Sequence, residues 1–248
     1  MDAYLLREDA RRMAFESIWN HDIDDVFRDV APYYDRANVY ATLGRLNSLR
    51  TQFIDTIKLK PGDKVLDVCA GTNVIGIDLL RRQPDLEVHA IDRSRAMQEV
   101  GGRTARDLGF KIDSVIGDVH RLPFPDNTFD VVTLQWATRH LRVIEVFSEI
   151  KRVLKPGGSF YHCDMLRPAN RFAERLYCLY LDACVDVISL AFGSGAAARR
   201  CRRYFTDAIR LFYSSDELSG LLSELGFQDV VGKPVLWGSV AFHRARKA

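Results

Sequence analysis

Lys64-Val65-Leu66-Asp67-Val68-Cys69-Ala70-Gly71-Thr72-Asn73-Val74, followed by Val88-His89-Ala90-Ile91-Asp92, is the stretch that decides the fold. Val65, Leu66 and Val68 form the short apolar run that a buried parallel strand needs. The run ends in a turn of small residues, Ala70 to Asn73, where a ligand can approach the backbone. The second apolar run ends in Asp92, about 20 residues beyond Gly71, where a carboxylate can accept the two hydroxyls of a ribose. The pair predicts a nucleoside cofactor at the carboxyl ends of parallel strands.

A dinucleotide fingerprint needs three glycines, and a phosphate loop needs a Lys-Ser/Thr pair. Gly71 is the only glycine in this turn and no such pair follows. An adenosine cofactor without phosphates fits better, and S-adenosylmethionine is the common one. The bland alternative is a strand and turn that bind nothing.

Outside this stretch, apolar and turn signals alternate as strand 64–69, helix 74–82, strand 87–91, helix 94–108, strand 112–116, strand 130–136, helix 143–154 and strand 158–164. Lys155-Pro156-Gly157-Gly158 reads as a tight turn, and the alternation predicts a mostly parallel sheet covered by helices on both faces. Before it, residues 1–58 read as helix with Ala14, Phe15, Ile18 and Trp19 on one apolar face, broken at Pro32. After it, residues 170–212 read as a helical insertion. Helix 215–225 ends at Gly226, and strands 227–231 and 235–243 join through Gly232-Lys233-Pro234. Four segments result: an N-terminal helical segment 1–58, a cofactor-binding core 59–166, a helical substrate lid 167–214, and a closing helix and strands 215–248.

At 248 residues and 47% hydrophobic content the chain can bury a full core. The net charge of +2, with dispersed basic residues, makes no demand for nucleic acid. Five cysteines without a CxxC pair read as free thiols in a reducing compartment. There is no bilayer-spanning run and no signal-peptide core at the start, so a cytoplasmic chain is expected.

Further motifs add up to a family. Arg121-Leu122-Pro123-Phe124-Pro125-Asp126-Asn127-Thr128-Phe129-Asp130, Arg152 to Gly158, Ala31-Pro32-Tyr33-Tyr34-Asp35 with Asn38, Tyr204-Phe205 with Ile209-Arg210, and Gly238 to Arg244 make up the pattern. From about residue 27 onward the chain resembles the ubiquinone/menaquinone C-methyltransferases, a branch of the class I S-adenosylmethionine-dependent methyltransferases. The resemblance implies a Rossmann-like, seven-stranded, mostly parallel α/β fold, S-adenosylmethionine as cofactor, and a lipophilic quinone as substrate. Where the family has Gly-Gly-Thr-Gly-Asp, this chain has Ala70-Gly71-Thr72-Asn73-Val74; Asn can adopt the positive φ of the replaced glycine. His140 likewise replaces the asparagine of the family's Leu-Arg-Asn.

The expected cofactor residues are Asp67, Ala70, Gly71, Asn73, Asp92, Arg93, Met97, Asp118, Val119 and Gln135. Trp136 is placed at the cofactor–substrate junction or in the core. Ring methylation needs a deprotonated quinol hydroxyl. Arg139 is the family-matched group for orienting water or stabilising the oxyanion, His140 the candidate base, and Tyr34 a residue that closes over the cofactor. The bland readings are a salt bridge for Arg139 and a structural histidine. His162 and Asp164 share a strand face, and no metal site is expected from them.

Leu176 to Phe192 offers either shelter for a prenyl tail or a packed or homodimeric face. Arg199, Arg200, Arg202 and Arg203 offer either contact with anionic lipid headgroups at a membrane surface or a solvated face. Two other functions fit the same residues: amino transfer from S-adenosylmethionine to form a rhodoquinone, and a scaffold without turnover.

Overall fold

The computed structural model describes residues 1–31, 39, 44–192 and 202–248. Tyr34 and the Tyr33 to Asn38 motif lie outside the described residues, as do Arg199, Arg200 and Cys201. The elements before the sheet are α1 (Asp2–Ser17), a π turn (Ile18–Asp22), α2 (Ile23–Val30) and α3 (Leu46–Thr56). The core runs β1 (Lys64–Val68), α4 (Val74–Arg82), β2 (Glu87–Asp92), α5 (Arg95–Asp107), β3 (Asp113–Ile116), β4 (Phe129–Gln135), α6 (Val143–Val153) and β5 (Leu154–Met165). It closes with α7 (Arg171–Phe192), α8 (Arg202–Arg210), α9 (Ser215–Glu224), β6 (Phe227–Val235) and β7 (Val240–Lys247).

The seven strands form one sheet in the order β3-β2-β1-β4-β5-β7-β6. The first five are parallel, and β7 runs antiparallel between β5 and β6. The order reverses between β1 and β4, and open α/β sheets bind ligands outside the carboxyl ends of the strands at such a switch point. Cys69 and Trp136, the residues just past these two strands, both take left-handed backbone angles, φ 56° and 59°. Non-glycine residues occupy this region at a cost and cluster at functional sites. Two bent strand ends side by side open a crevice there.

The local chemistry explains the elements. Val143, Val146, Phe147, Ile150 and Val153 give α6 one buried stripe. Ser94 caps α5 through the Met97 amide, and Ser214 with Glu217 forms a reciprocal capping box on α9. Asn73 takes φ 59° at the start of α4, so the residue that replaces the family's glycine keeps the turn.

Two boundaries and one helix face differ from the sequence reading. Lys155 to Gly158 is a bulge inside β5, because pairing jumps from Phe129–Leu154 to Val131–Ser159. The last hairpin turns at Leu236–Gly238, not at residues 232–234. Pro234 sits in β6, an edge strand, where its missing N–H costs nothing. On the N-terminal helix Ala14 is exposed, and Arg11 holds the inner position beside Phe15 and Trp19.

The two sheet faces bury separate cores, one around Leu66, Val68, Ile91, Phe147 and Phe160, the other around Val65, Leu79, Val88, Tyr161 and Phe242. A third cluster joins Phe15, Trp19, Ile23 and Val26 to Tyr204 and Ala208. The N-terminal helices and α8 therefore clasp each other over the switch point.

Candidate active site

A crevice of about 930 Å³, its mouth included, opens at the ends of β1, β2 and β4. Of the expected cofactor residues, Asp67, Ala70, Gly71, Asp92, Arg93, Met97, Asp118, Val119 and Gln135 all line it, together with Trp136 and His140. Asn73 is buried just behind, accepting a hydrogen bond from Gln98 Nε2 at 3.0 Å, while Gln98 also donates to the Gly71 carbonyl at 2.9 Å. Gly101 of α5 packs against this loop so closely that a Cβ would lie 2.6 Å from the Thr72 carbonyl carbon. Neither Gln98 nor Gly101 carries a motif; only contact across 25 residues or more reveals them.

Asp92 accepts the Gly71 amide on Oδ2 and the Ser94 amide on Oδ1, each at 2.8 Å. Burial raises its carboxyl against the pull of these amides. Each oxygen retains a lone pair for a ligand hydroxyl. Asp67 accepts the Thr133 hydroxyl at 2.7 Å on one oxygen, while the other meets no donor of bonding geometry. Burial pushes its carboxyl up to about 7, against the Thr133 bond and the nearby Gly76 amide.

Three residues of this one crevice hold a buried polar atom with no protein partner: Asp67 Oδ2, Gln135 Nε2 and His140 Nε2. Leaving such atoms unpaired costs about 1–3 kcal/mol each, so a ligand or ordered water is expected to meet them. A carboxylate at each end, a glycine turn and apolar Met97, Val119 and Leu141 between them suit an adenosine with a charged amino-acid tail.

Two expected contacts are spent elsewhere. Arg93 donates to the Trp19 carbonyl at 3.0 Å and to Asp24 at 2.7 Å. It straps α2 over the crevice, a role that nothing local in the sequence announces. Arg139 donates to Asp164 at 2.6 Å and to the Trp136 carbonyl at 2.8 Å, and its side chain does not line the crevice. Asp118 is held by His120, through the backbone amide and Nδ1. Burial alone would raise the Asp118 carboxyl, but these bonds hold it below the usual range.

His140 sits on a short 3-10 turn, Thr138–His140, which is anchored from three sides. The Thr138 amide donates to Asp164 at 2.6 Å. Fully buried Arg11 donates to the carbonyls of Arg139 and Leu141 and pairs with Glu8, which also accepts Tyr213 and the Val143 amide. The Thr138 hydroxyl meets His162 Nε2 at 2.7 Å, His162 Nδ1 meets His243 Nδ1 at 3.3 Å, and His243 Nε2 meets the Ser215 carbonyl at 3.1 Å.

A carbonyl only accepts, so His243 Nε2 carries a proton and its Nδ1 accepts from His162. His162 Nε2 then accepts from Thr138. Both rings are neutral: burial holds His162 well below its ordinary value and takes His243 to about 4. This accounts for His162 and Asp164 without a metal, and no metal-holding cluster exists among the described residues.

His140 Nδ1 lies 2.5 Å from the Tyr204 hydroxyl, which accepts the Trp19 indole N–H at 2.8 Å. Burial, then the charges of Arg139 and Arg11, hold the imidazole well below its ordinary value. The ring is neutral and carries one N–H. When Nδ1–H donates to the Tyr204 oxygen, Nε2 faces the crevice as an acceptor; when the Tyr204 O–H donates to Nδ1, the ring proton is on Nε2, which is then a donor.

A second, apolar cavity of about 1060 Å³ adjoins the first and shares Trp136 with it. Met165, Leu176, Tyr177, Tyr180, Leu181, Trp237 and Val240 line it. Tyr177 lies near Arg139 and Asp164, and burial pushes its phenol up, so it is a neutral hydroxyl.

The model of the ubiE/COQ5 methyltransferase family matches residues 16–247. The chain belongs to that family. A demethylmenaquinone methyltransferase of Symbiobacterium thermophilum is 32% identical, the match covering 91% of this chain and 92% of the relative. A ubiquinone/menaquinone biosynthesis C-methyltransferase of Geobacter sulfurreducens is 29% identical over 91% of this chain and 88% of the relative. A phosphoethanolamine N-methyltransferase of Haemonchus contortus, solved with S-adenosylmethionine, superposes with TM-score 0.62 at 14% identity, covering 82% of this chain and 53% of that one; it supports the fold alone.

The chain is a methyltransferase of class I fold, and S-adenosylmethionine is its expected cofactor, which the crevice residues fit. No helix of the described residues is long and apolar enough to cross a membrane.

Proposed function

We propose that this methyltransferase C-methylates a prenylated quinol, and that its ring is a demethylated naphthoquinol. The observation that carries the reading is the meeting at Trp136 of a crevice that presents Asp67, Asp92 and Asp118 with a cavity that presents no carboxylate. Relatives at 32–34% identity named demethylmenaquinone methyltransferase favour the naphthoquinol ring.

In this reading Asp92 accepts the ribose hydroxyls, Asp67 Oδ2 takes the methionine ammonium, and Gly71 admits the tail past its backbone. Ala70, Met97 and Val119 enclose the adenosine, and Asp118 borders the adenine. S-adenosylmethionine supplies, when bound, a methyl group on a sulfonium ready for in-line displacement. The protein's part is positioning and electrostatics. Trp136 separates cofactor from ring, the apolar cavity takes the tail, and α7 serves as its cover through Leu176, Tyr177, Tyr180 and Leu181. His140 Nε2 takes the quinol hydroxyl proton, with Tyr204 holding the imidazole so that Nε2 faces the ring. Arg139, tied to Asp164, acts as a fixed positive charge behind the site rather than as a direct ligand.

A single-turnover incubation with S-adenosylmethionine and a reduced, prenylated demethylnaphthoquinone tests this. The expected product is one methylene heavier, with one S-adenosylhomocysteine formed per product. An aminated ring, or cofactor binding without turnover, overturns it in favour of amino transfer or a scaffold; the relatives' names support neither.

A further inference from the structure

Helix α7 carries an apolar stripe on its outer side. Phe172, Leu176, Leu179, Ala183 and Val187 recur at the spacing of one helix face and are all exposed, Phe172 at 71% and Leu179 at 66%. The stripe runs about 22 Å along the helix. Soluble surfaces rarely leave contiguous apolar patches of this kind uncovered. Its edge is the mouth of the apolar cavity, since Leu176 belongs to both. Across that mouth Trp237, in a left-handed conformation at φ 57°, is 88% exposed on the turn between β6 and β7.

Charge decides what covers this face. Arg171 and Arg175 are exposed beside the stripe and make no ion pair among the described residues. They share a cleft with Arg210. Glu174 is the one acid of the helix in that cleft, against Arg7, Arg167, Arg171, Arg175 and Arg210, so the cleft stays cationic. Asp182 and Asp186 lie toward the other end, and Asp182 accepts the Thr206 hydroxyl. Cationic groups beside a tryptophan and an apolar helix face match an anionic lipid surface, where Trp prefers the headgroup level and arginines meet phosphates. A second copy on the same stripe would close the cavity mouth instead of feeding it.

We propose that the outer face of α7 with Trp237 seats the protein on an anionic bilayer, the arginine end toward the headgroups, so that the apolar cavity opens into the acyl layer. The prenyl tail would then pass from bilayer to cavity without crossing water; this last step rests on the quinol reading, and the surface itself does not.

Sedimentation with vesicles tests the surface. The bound fraction should be at least about tenfold higher on phosphatidylcholine containing roughly a third phosphatidylglycerol than on phosphatidylcholine alone at low salt. Binding should shift Trp emission to the blue, and Trp237→Phe should remove the shift. Phe172→Ser/Leu179→Ser/Val187→Ser should cut binding about tenfold or more. Arg171→Glu/Arg175→Glu should abolish the preference for anionic vesicles. Both variants should keep the thermal transition, the S-adenosylmethionine affinity and the turnover of a water-soluble, tail-less quinol.

Equal, weak partition of the wild type to both vesicles overturns the proposal. So does a vesicle-free dimer that the triple-serine variant splits, because the face then belongs to a second copy. Vesicle binding without any quinol turnover leaves the surface standing and removes the quinol reading, and turnover without vesicle binding does the reverse.

Discussion

Asp67→Asn separates the two demands placed on one buried carboxyl. In the folded protein this carboxyl is raised from 3.8 to about 7. A carboxyl raised on folding keeps its proton where the unfolded chain has lost it. The cost of ionising it therefore grows as pH rises from about 4 to about 7 and stays constant above. Three pH units at about 1.4 kcal/mol each give a full cost of roughly 4 kcal/mol at pH 8. At pH 5 the cost is only about 1.5–2 kcal/mol by the same relation.

Asn keeps the acceptor for Thr133 but turns an amide toward Gly76, so its own fit subtracts a constant at every pH. The difference between the two pH values is free of that constant. Asp67→Asn should gain about 2.5 kcal/mol more at pH 8 than at pH 5, roughly 5–10 °C in the melting temperature. It should also weaken S-adenosylmethionine by about 1.5–3 kcal/mol, the worth of a charge-assisted hydrogen bond. Thermal melts at both pH values and calorimetric titration check the two halves. An equal shift at pH 5 and pH 8, or an unchanged affinity, would refute the reasoning.

Asp92→Ala should weaken S-adenosylmethionine by about 1.5–3 kcal/mol in the same calorimetry, and unchanged affinity would displace the ribose from the end of β2. Arg11→Met should cost about 3 kcal/mol in urea unfolding, since a buried partnered charge is lost and two carbonyls of the 3-10 turn are orphaned. His243 is lowered to about 4 by burial, so its stabilising neutrality is complete above pH 6.5 and is lost as pH falls toward 4. Wild-type stability should drop by about 3 kcal/mol over that window through this group, and His243→Gln should flatten the profile. His140→Ala should lower turnover about 10²–10⁴-fold with cofactor affinity intact. Tyr204→Phe should lower it too, and the wild-type rate should hold to well below pH 6.5 because His140 stays neutral there.

The sheet and the cofactor end were legible because their signals are local. A buried strand, a small-residue turn and an acid at the next strand end sit within 29 residues of one another, from Lys64 to Asp92. The 3-10 turn that presents His140 was not. Arg11 looks like a polar residue on an amphipathic helix, and its burial is explained only by carbonyls 128 and 130 residues away. Trp19 and Tyr204, 185 apart, orient His140 by a bond that no spacing encodes. The family match nominates Arg139, and Arg93 stands next to Asp92 in the sequence. Ion pairs with Asp24 and Asp164 claim both, and charge pairing across a fold leaves no periodic trace. The displaced hairpin turn shows the same limit: Pro234 reads as a breaker until the strand is known to be an edge.

The central claim is methyl transfer from S-adenosylmethionine to a prenylated quinol, and one quinone profile tests it most directly. A bacterial host lacking its own quinone methyltransferase would express this chain while fed methionine with a trideuterated methyl group. The account predicts that mass spectrometry finds the host's demethylated quinone converted to a methylated one carrying three deuteriums, and that Asp92→Ala suppresses the conversion. A host that retains only its demethylated quinone while making folded protein, or that forms an aminated quinone without deuterium, would contradict it.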